Sequence, residues 1–78
     1  MTLSKQALSV IPGSLFQHYK GNRYQVLHVA RHSETLEELV VYQALYGDFG
    51  IWVRPLSMFF ETITLNGSPT PRFKLLAE

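Results

Sequence analysis

His32, Ser33 and Glu34 stand side by side, with His18 and Glu61 elsewhere in the chain. Neutral imidazole and carboxylate both suit zinc, so this set carries the donor types of a divalent-metal site. The spacing does not: there is no His-x-x-x-His and no His-Glu-x-x-His. Ser33 beside His32 also falls short of a nucleophile with its base. Neighbouring strand residues point to opposite faces, and no nucleophile elbow surrounds the serine. The commoner use of Ser33, Glu34 and Thr35 is to satisfy backbone donors in a loop. A small metal- or nucleotide-dependent enzyme remains one alternative, and it requires His18, His32 and Glu34 to meet at a common point.

Two further constellations bear on binding. Lys20-Gly21-Asn22-Arg23 sets two cations around a turn, where they can meet a phosphate, but the full Gly-x-x-x-x-Gly-Lys pattern is absent. A charged hairpin tip is the ordinary reading of such a run. The stretch from Tyr42 to Phe60 is richer. It holds Tyr42, Tyr46, Phe49, Trp52, Phe59 and Phe60, and Arg54 follows Trp52 by two residues. Strand alternation cannot hide every one of these rings, so at least one is expected on the surface beside Arg54. Aromatic faces and a guanidinium fork bind peptides, methylated side chains or nucleobases by stacking and cation–π attraction. The competing arrangement packs Trp52 over the end of the fold and pairs Arg54 with Glu61 or Asp48.

The elements that must position these groups are short. A chain of 78 residues is one small domain, expected to bury roughly 60% of its unfolded surface. Its 46% hydrophobic and 17% charged content is that of a globular chain. No cysteine is present, which removes disulfides and thiolate chemistry and fits a cytoplasmic location. The net charge of +1 argues against a strong claim on a nucleic-acid backbone, leaving room only for a local basic strip. No apolar run approaches the roughly 20 residues of a membrane span. The first residues make a poor signal peptide, so 1–12 reads as a flexible arm ending at Pro12-Gly13, with the domain over 13–76.

Turn signals at Lys20-Gly21-Asn22, Gly47-Asp48-Phe49-Gly50, Asn66-Gly67 and Pro69-Thr70-Pro71 separate short β-branched and aromatic runs. Strands are expected at 15–19, 23–30, 39–46, 51–54 and 60–65, with an edge strand at 72–76. In the second, Leu27 and Val29 share one face, and Tyr24, Val26, His28 and Ala30 the other. Thr35-Leu36-Glu37-Glu38 has the form of a capping box in the polar loop before the third. Gly47 and Gly50 suit a hairpin loop with positive φ. Residues 55–59 make one helical turn. Five or six short strands with a one-turn helix predict an all-β domain, an SH3-like barrel. A half-open sheet with a short helix, α+β in class, is the alternative.

Several multi-residue runs are specific. They are His18-Tyr19-Lys20-Gly21, Tyr24-Gln25-Val26, Ala30-Arg31-His32-Ser33-Glu34-Thr35, Val40-Val41-Tyr42, Trp52-Val53-Arg54-Pro55, Met58-Phe59 and Arg72-Phe73. In these the chain resembles a widespread bacterial family of small proteins labelled domain of unknown function 1653. The match runs from about Pro12 to Lys74. Phe16 departs from the family's tyrosine, so a phenol hydroxyl is not essential there. The resemblance implies a compact β-rich domain and no reaction, and fold analogy supplies no function either.

The leading expectation is a noncatalytic binding module. Its groove comprises Tyr46, Trp52 and Arg54, extended by Tyr19 and Tyr24, and its partner is a nucleic acid or a peptide. Nucleic acid is favoured only if Lys20, Arg23, Arg31 and Arg54 gather on one face. A third reading is an accessory protein that self-associates through an exposed sheet edge, as a monomer or weak homodimer. No catalytic residue, metal or cofactor is expected.

Overall fold

The computed structural model describes residues 3–78. Its elements run α1 (Lys5–Leu8), β1 (Leu15–His18), β2 (Arg23–Arg31), β3 (Glu38–Ala44), β4 (Ile51–Pro55), α2 (Leu56–Phe59), β5 (Thr62–Leu65), β6 (Ser68–Pro71) and β7 (Phe73–Ala77). Five strands form one antiparallel sheet in the order β4-β3-β2-β1-β7, and β5 and β6 pair as a separate hairpin. The all-β expectation holds. A closed barrel does not form, because β4 and β7 end the sheet without pairing to each other. The half-open sheet is the arrangement found.

One face of the sheet carries the core. Phe16 of β1, Val26 of β2, Val40 and Tyr42 of β3, and Phe73 of β7 are all buried there. Alternation explains most of this pattern, since residues two apart share a face. A bulge in β2 changes it. The register shifts between Val26 and His28, so that Val26 lies opposite Tyr42 but Val29 lies opposite Val40. The extra residue re-aims the strand. Val29 therefore joins Tyr24 and Val26 on the core side and His28 becomes exposed, correcting the face assignment made from simple alternation.

Phe59 of α2 is the centre of the packing, with no exposed surface. It stacks on Phe73 at 4.2 Å and meets Phe16, Tyr42 and Phe60 edge-on at 5.1, 5.4 and 5.2 Å. Offset and edge-to-face rings at such separations add to plain burial. Proline supports this placement: Pro55 is the N-cap of α2, ending β4 and opening the turn that delivers Leu56 and Phe59 to the core.

Residues 3–12 include the described part of the segment read as an arm; Met1 and Thr2 lie outside the described residues. Ser4 caps α1, its hydroxyl accepting from the Ala7 N–H at 3.1 Å. The Ser4 N–H and hydroxyl both donate to the Glu38 carboxylate, each at 2.7 Å. Those bonds hold the Glu38 carboxyl below the usual carboxylate range. Ala7 and Val10 are buried with the core. No helix among the described residues is long and apolar enough to cross a membrane.

Candidate aromatic and arginine binding site

The core face continues past Phe59 into a set of rings with polar ends. Tyr24 meets Tyr42, Tyr46 and Phe73 edge-on at 5.4, 5.6 and 5.6 Å. The Tyr24 and Tyr46 hydroxyls share a hydrogen bond of 2.7 Å. Burial, then that bond, raises the Tyr24 phenol to about 12. His18 sits at the end of β1, 5.0 Å from Phe73 and 4.4 Å from Tyr19. Its Nδ1 accepts from the Lys20 N–H at 3.2 Å, so in the neutral ring the proton is on Nε2. Burial pushes the His18 imidazole below its ordinary value, and the charges of Arg54, Arg72 and Lys20 push it the same way.

Register brings Arg54 to the same place. In the β3–β4 ladder Val40 faces Arg54 and Tyr42 faces Trp52, so both β4 residues share the core face. The Arg54 Nε–H donates to the Tyr42 hydroxyl at 3.3 Å, and its guanidinium lies over the Phe73 ring at 5.7 Å. The competing arrangement, with Arg54 paired to Glu61 or Asp48, does not occur. Arg72 takes Glu61 at 2.6 Å, because the Arg72 N–H already bonds the Glu61 carbonyl and sets the two side chains together.

Trp52 stands at the edge of this group. It is 58% exposed, flanked by Ile51 at 61% and Val53 at 56%. Its indole Nε1 turns toward the loop, 3.4 Å from where a Cβ at Gly50 would lie. In that loop Gly47 has φ +61°, but the second positive φ belongs to Phe49 at +56°, not to Gly50. A bulky residue is seldom found in this region. The Gln43 side-chain amide donates to the Phe49 carbonyl at 3.0 Å and braces it. Tyr19 lies beyond His18. It lines a separate concavity of about 510 Å³ with Gln17, His18, Gly21, Thr70, Pro71 and Lys74, and the Lys20 ammonium rests 5.8 Å from its ring.

Of the residues singled out in the sequence, Tyr24, Tyr46, Arg54 and His18 thus converge, Trp52 flanks them and Tyr19 backs onto them. Tyr42 and Phe73 complete the site. Their signal was only the aromatic count, because nothing local tells that the Phe73 ring of β7 packs against Tyr42 of β3.

His32, Ser33 and Glu34 form a turn elsewhere. The His32 Nδ1 accepts from the Glu34 and Thr35 N–H groups at 3.0 and 3.2 Å. The Thr35 hydroxyl accepts from the Glu37 N–H at 3.2 Å, and Leu36 takes φ +64°. Ser33 reaches only Glu34, at 3.5 Å. His18 precedes β2 and His32 follows it, so the strand's length, about 25–30 Å, separates the two. His18, His32 and Glu34 do not meet at a common point. Among the described residues no group of three His, Asp or Glu side chains is placed to hold a metal ion.

The cations also divide. Lys20 and Arg54 both act on His18. Arg23 precedes the core-facing Tyr24 and points to the opposite face. Arg31 lies opposite Glu38, at the far end of β2.

The family model described as "Protein of unknown function (DUF1653)" matches residues 14–75. A crystal structure of a protein belonging to DUF1653 from Bordetella bronchiseptica is similar over 91% of this chain and 92% of that one. The two are 37% identical, with a TM-score of 0.80. No curated protein matches the chain.

Proposed function

The chain belongs to the DUF1653 family of proteins of unknown function, and from that premise we propose that it is a noncatalytic binding module for an extended peptide. The observation that carries this reading is β4, an edge strand with Ile51, Trp52 and Val53 all exposed. An unpaired strand edge offers a row of N–H and C=O groups to an incoming chain. Strand addition draws its affinity from those groups and its selectivity from pockets for alternate side chains. Beside β4 the core-facing side of the sheet presents Trp52, Arg54 and Tyr46, and the opposite side presents Ile51 and Val53. The division of Lys20, Arg23, Arg31 and Arg54 and the small net charge favour a peptide over a nucleic acid.

The test is a random-peptide selection on the intact chain, followed by titration of the selected peptide into isotope-labelled protein. Amide shifts are expected along Ile51–Arg54 with a shift of the Trp52 indole N–H, and Trp52→Ala should abolish selection while keeping a dispersed spectrum. The reading fails if no peptide moves the β4 amides. Shifts caused instead by short RNA or DNA would reassign the site to nucleic acid. A concentration-dependent dimer in sedimentation velocity, with β4 amides broadened, would give the edge to a second copy of this chain.

A further inference from the structure

Arg54 is half-buried, held on two sides, and has no acid. Its Nε–H is engaged by the Tyr42 hydroxyl and its guanidinium lies over the Phe73 ring. The terminal amino groups have no hydrogen-bond partner among the described residues, and no carboxylate there pairs with this side chain. Glu61, one of the two acids weighed as its partner, pairs with Arg72 instead. The Tyr24 and Tyr46 hydroxyls are already bonded to each other. Lys20 and Arg72 add positive charge around the same histidine that feels Arg54. A half-buried cation without a counter-charge costs free energy unless a partner completes it.

We propose that the Arg54 fork is the receptor for a carboxylate of the bound peptide, either an acidic side chain or the chain's terminal carboxylate; this rests on the peptide reading above. A planar guanidinium with Nε engaged and neither terminal amino group bonded among the described residues matches the two oxygens of a carboxylate in one plane. The ring beneath and the phenol beside it fix that plane before the ligand arrives, so little side-chain entropy is lost on binding. Phosphate can meet the same fork through two of its oxygens and is therefore the competing anion; the peptide reading favours the carboxylate.

The test uses small probes on the full chain, reading the Arg54 Nε–H and Cζ resonances at constant ionic strength. N-acetylglutamate amide carries a side-chain carboxylate, N-acetylalanine a terminal one, and N-acetylglutamine amide is the neutral control; inorganic phosphate is the competing anion. A saturable shift at Arg54 with one or both carboxylates, and none with the glutamine amide, is the expected result. Arg54→Lys, which keeps charge and loses the fork, should weaken the same response, followed in both proteins at the Tyr42 and Phe73 ring resonances, at least about tenfold, with a spectrum that remains dispersed. The relative response to the first two probes distinguishes the source. A response that does not saturate, that is stronger for phosphate, or that survives Arg54→Lys unchanged overturns the proposal. The two readings fail differently. If the peptide reading fails, Arg54 still answers to carboxylate but no peptide moves the β4 amides. If the carboxylate reading fails, selected peptides move β4 equally well with every Asp and Glu replaced by its amide.

Discussion

Replacing Tyr46 by Phe isolates one bond in the candidate site. The ring that remains in Tyr46→Phe can keep its edge-to-face position 5.6 Å from Tyr24, so burial of Tyr24 is unchanged and only the 2.7 Å hydroxyl–hydroxyl bond is lost. Burial is the larger cause of the raised Tyr24 value and the Tyr46 bond the next. The midpoint should therefore fall from about 12 but stay above the ordinary 10.0. Phenolate absorbance reads this directly. One of the four tyrosines in the chain should titrate near 12 in the parent, the step should vanish in Tyr24→Phe, and it should move down in Tyr46→Phe. Circular dichroism at each pH ensures that a folded chain is being titrated. The same shift makes a stability statement. The raised value favours the protonated phenol in the folded state, so its contribution is complete below pH 10 and is lost as pH rises through about 12. Urea midpoints should fall across that window and fall less in Tyr24→Phe. At neutral pH the bond lies near the surface and should contribute about 0.5 kcal/mol, the low end for a hydrogen bond, or about 2–4 °C in a domain of this size. An unchanged phenolate midpoint in Tyr46→Phe would refute the hydroxyl pairing, and with it the view that Tyr24 and Tyr46 hold each other in a fixed site.

Phe59→Ala should cost about 3–5 kcal/mol, against a total of roughly 4–12 kcal/mol for a chain of this length. A urea midpoint within about 1 kcal/mol of the parent would show that Phe59 is not the packing centre. The depressed His18 value favours the neutral ring in the fold, so its contribution is whole above the ordinary 6.5 and is lost as pH falls through the lower folded value. Thermal midpoints should decline below about pH 6.5, and His18→Gln should flatten that decline. Gly47→Ala should cost about 1–2 kcal/mol because its φ of +61° penalises a side chain. Gly50→Ala should be nearly neutral, as its new Cβ meets Asp48 Oδ1 and Trp52 Nε1 only at 3.4 Å; equal losses at the two glycines would contradict the loop geometry.

Local chemistry in the sequence specified most of the strands and little of how they meet. Asn66-Gly67 signalled the β5–β6 hairpin, and both residues take the positive φ that a tight hairpin requires, +51° and +78°. The partner strand itself was hidden. Pro69 and Pro71 read as turn residues, yet they lie in β6 opposite Thr64 and Thr62. β6 pairs with β5 alone, and its other edge has no ladder bond for a proline to break. The β2 bulge was equally silent, because Val26, Leu27, His28 and Val29 run on without a glycine to mark it. Tyr46, Trp52 and Arg54 were legible as a candidate site because they crowd one hairpin. The partners of Arg54 were not, since Tyr42 and Phe73 lie 31 residues apart in sequence, and Glu61 pairs with Arg72, whose N–H also bonds the Glu61 carbonyl.

Three departures from ordinary packing cluster at the β4 edge of the sheet and the loop before it. Phe49 holds a backbone conformation that costs a bulky residue free energy. Ile51, Trp52 and Val53 leave apolar surface on an open strand edge. Arg54 keeps a half-buried charge without an acid. Each has a simple local remedy: glycine at Phe49, lysine or glutamate on the edge, and an acid within reach of Arg54. Elsewhere some such remedies are in place, although Leu36 in the turn before β3 also holds a positive φ of +64° and Leu75 and Leu76 on β7 are exposed. His32 and Thr35 satisfy the turn before β3, Ser4 and Glu38 secure α1, and Glu61 neutralises Arg72. An open strand edge with exposed apolar side chains beside a half-buried arginine that pairs with no acid is the combination that a bound strand bearing a carboxylate would complete, and the proposed peptide reading rests on that combination rather than on any one departure.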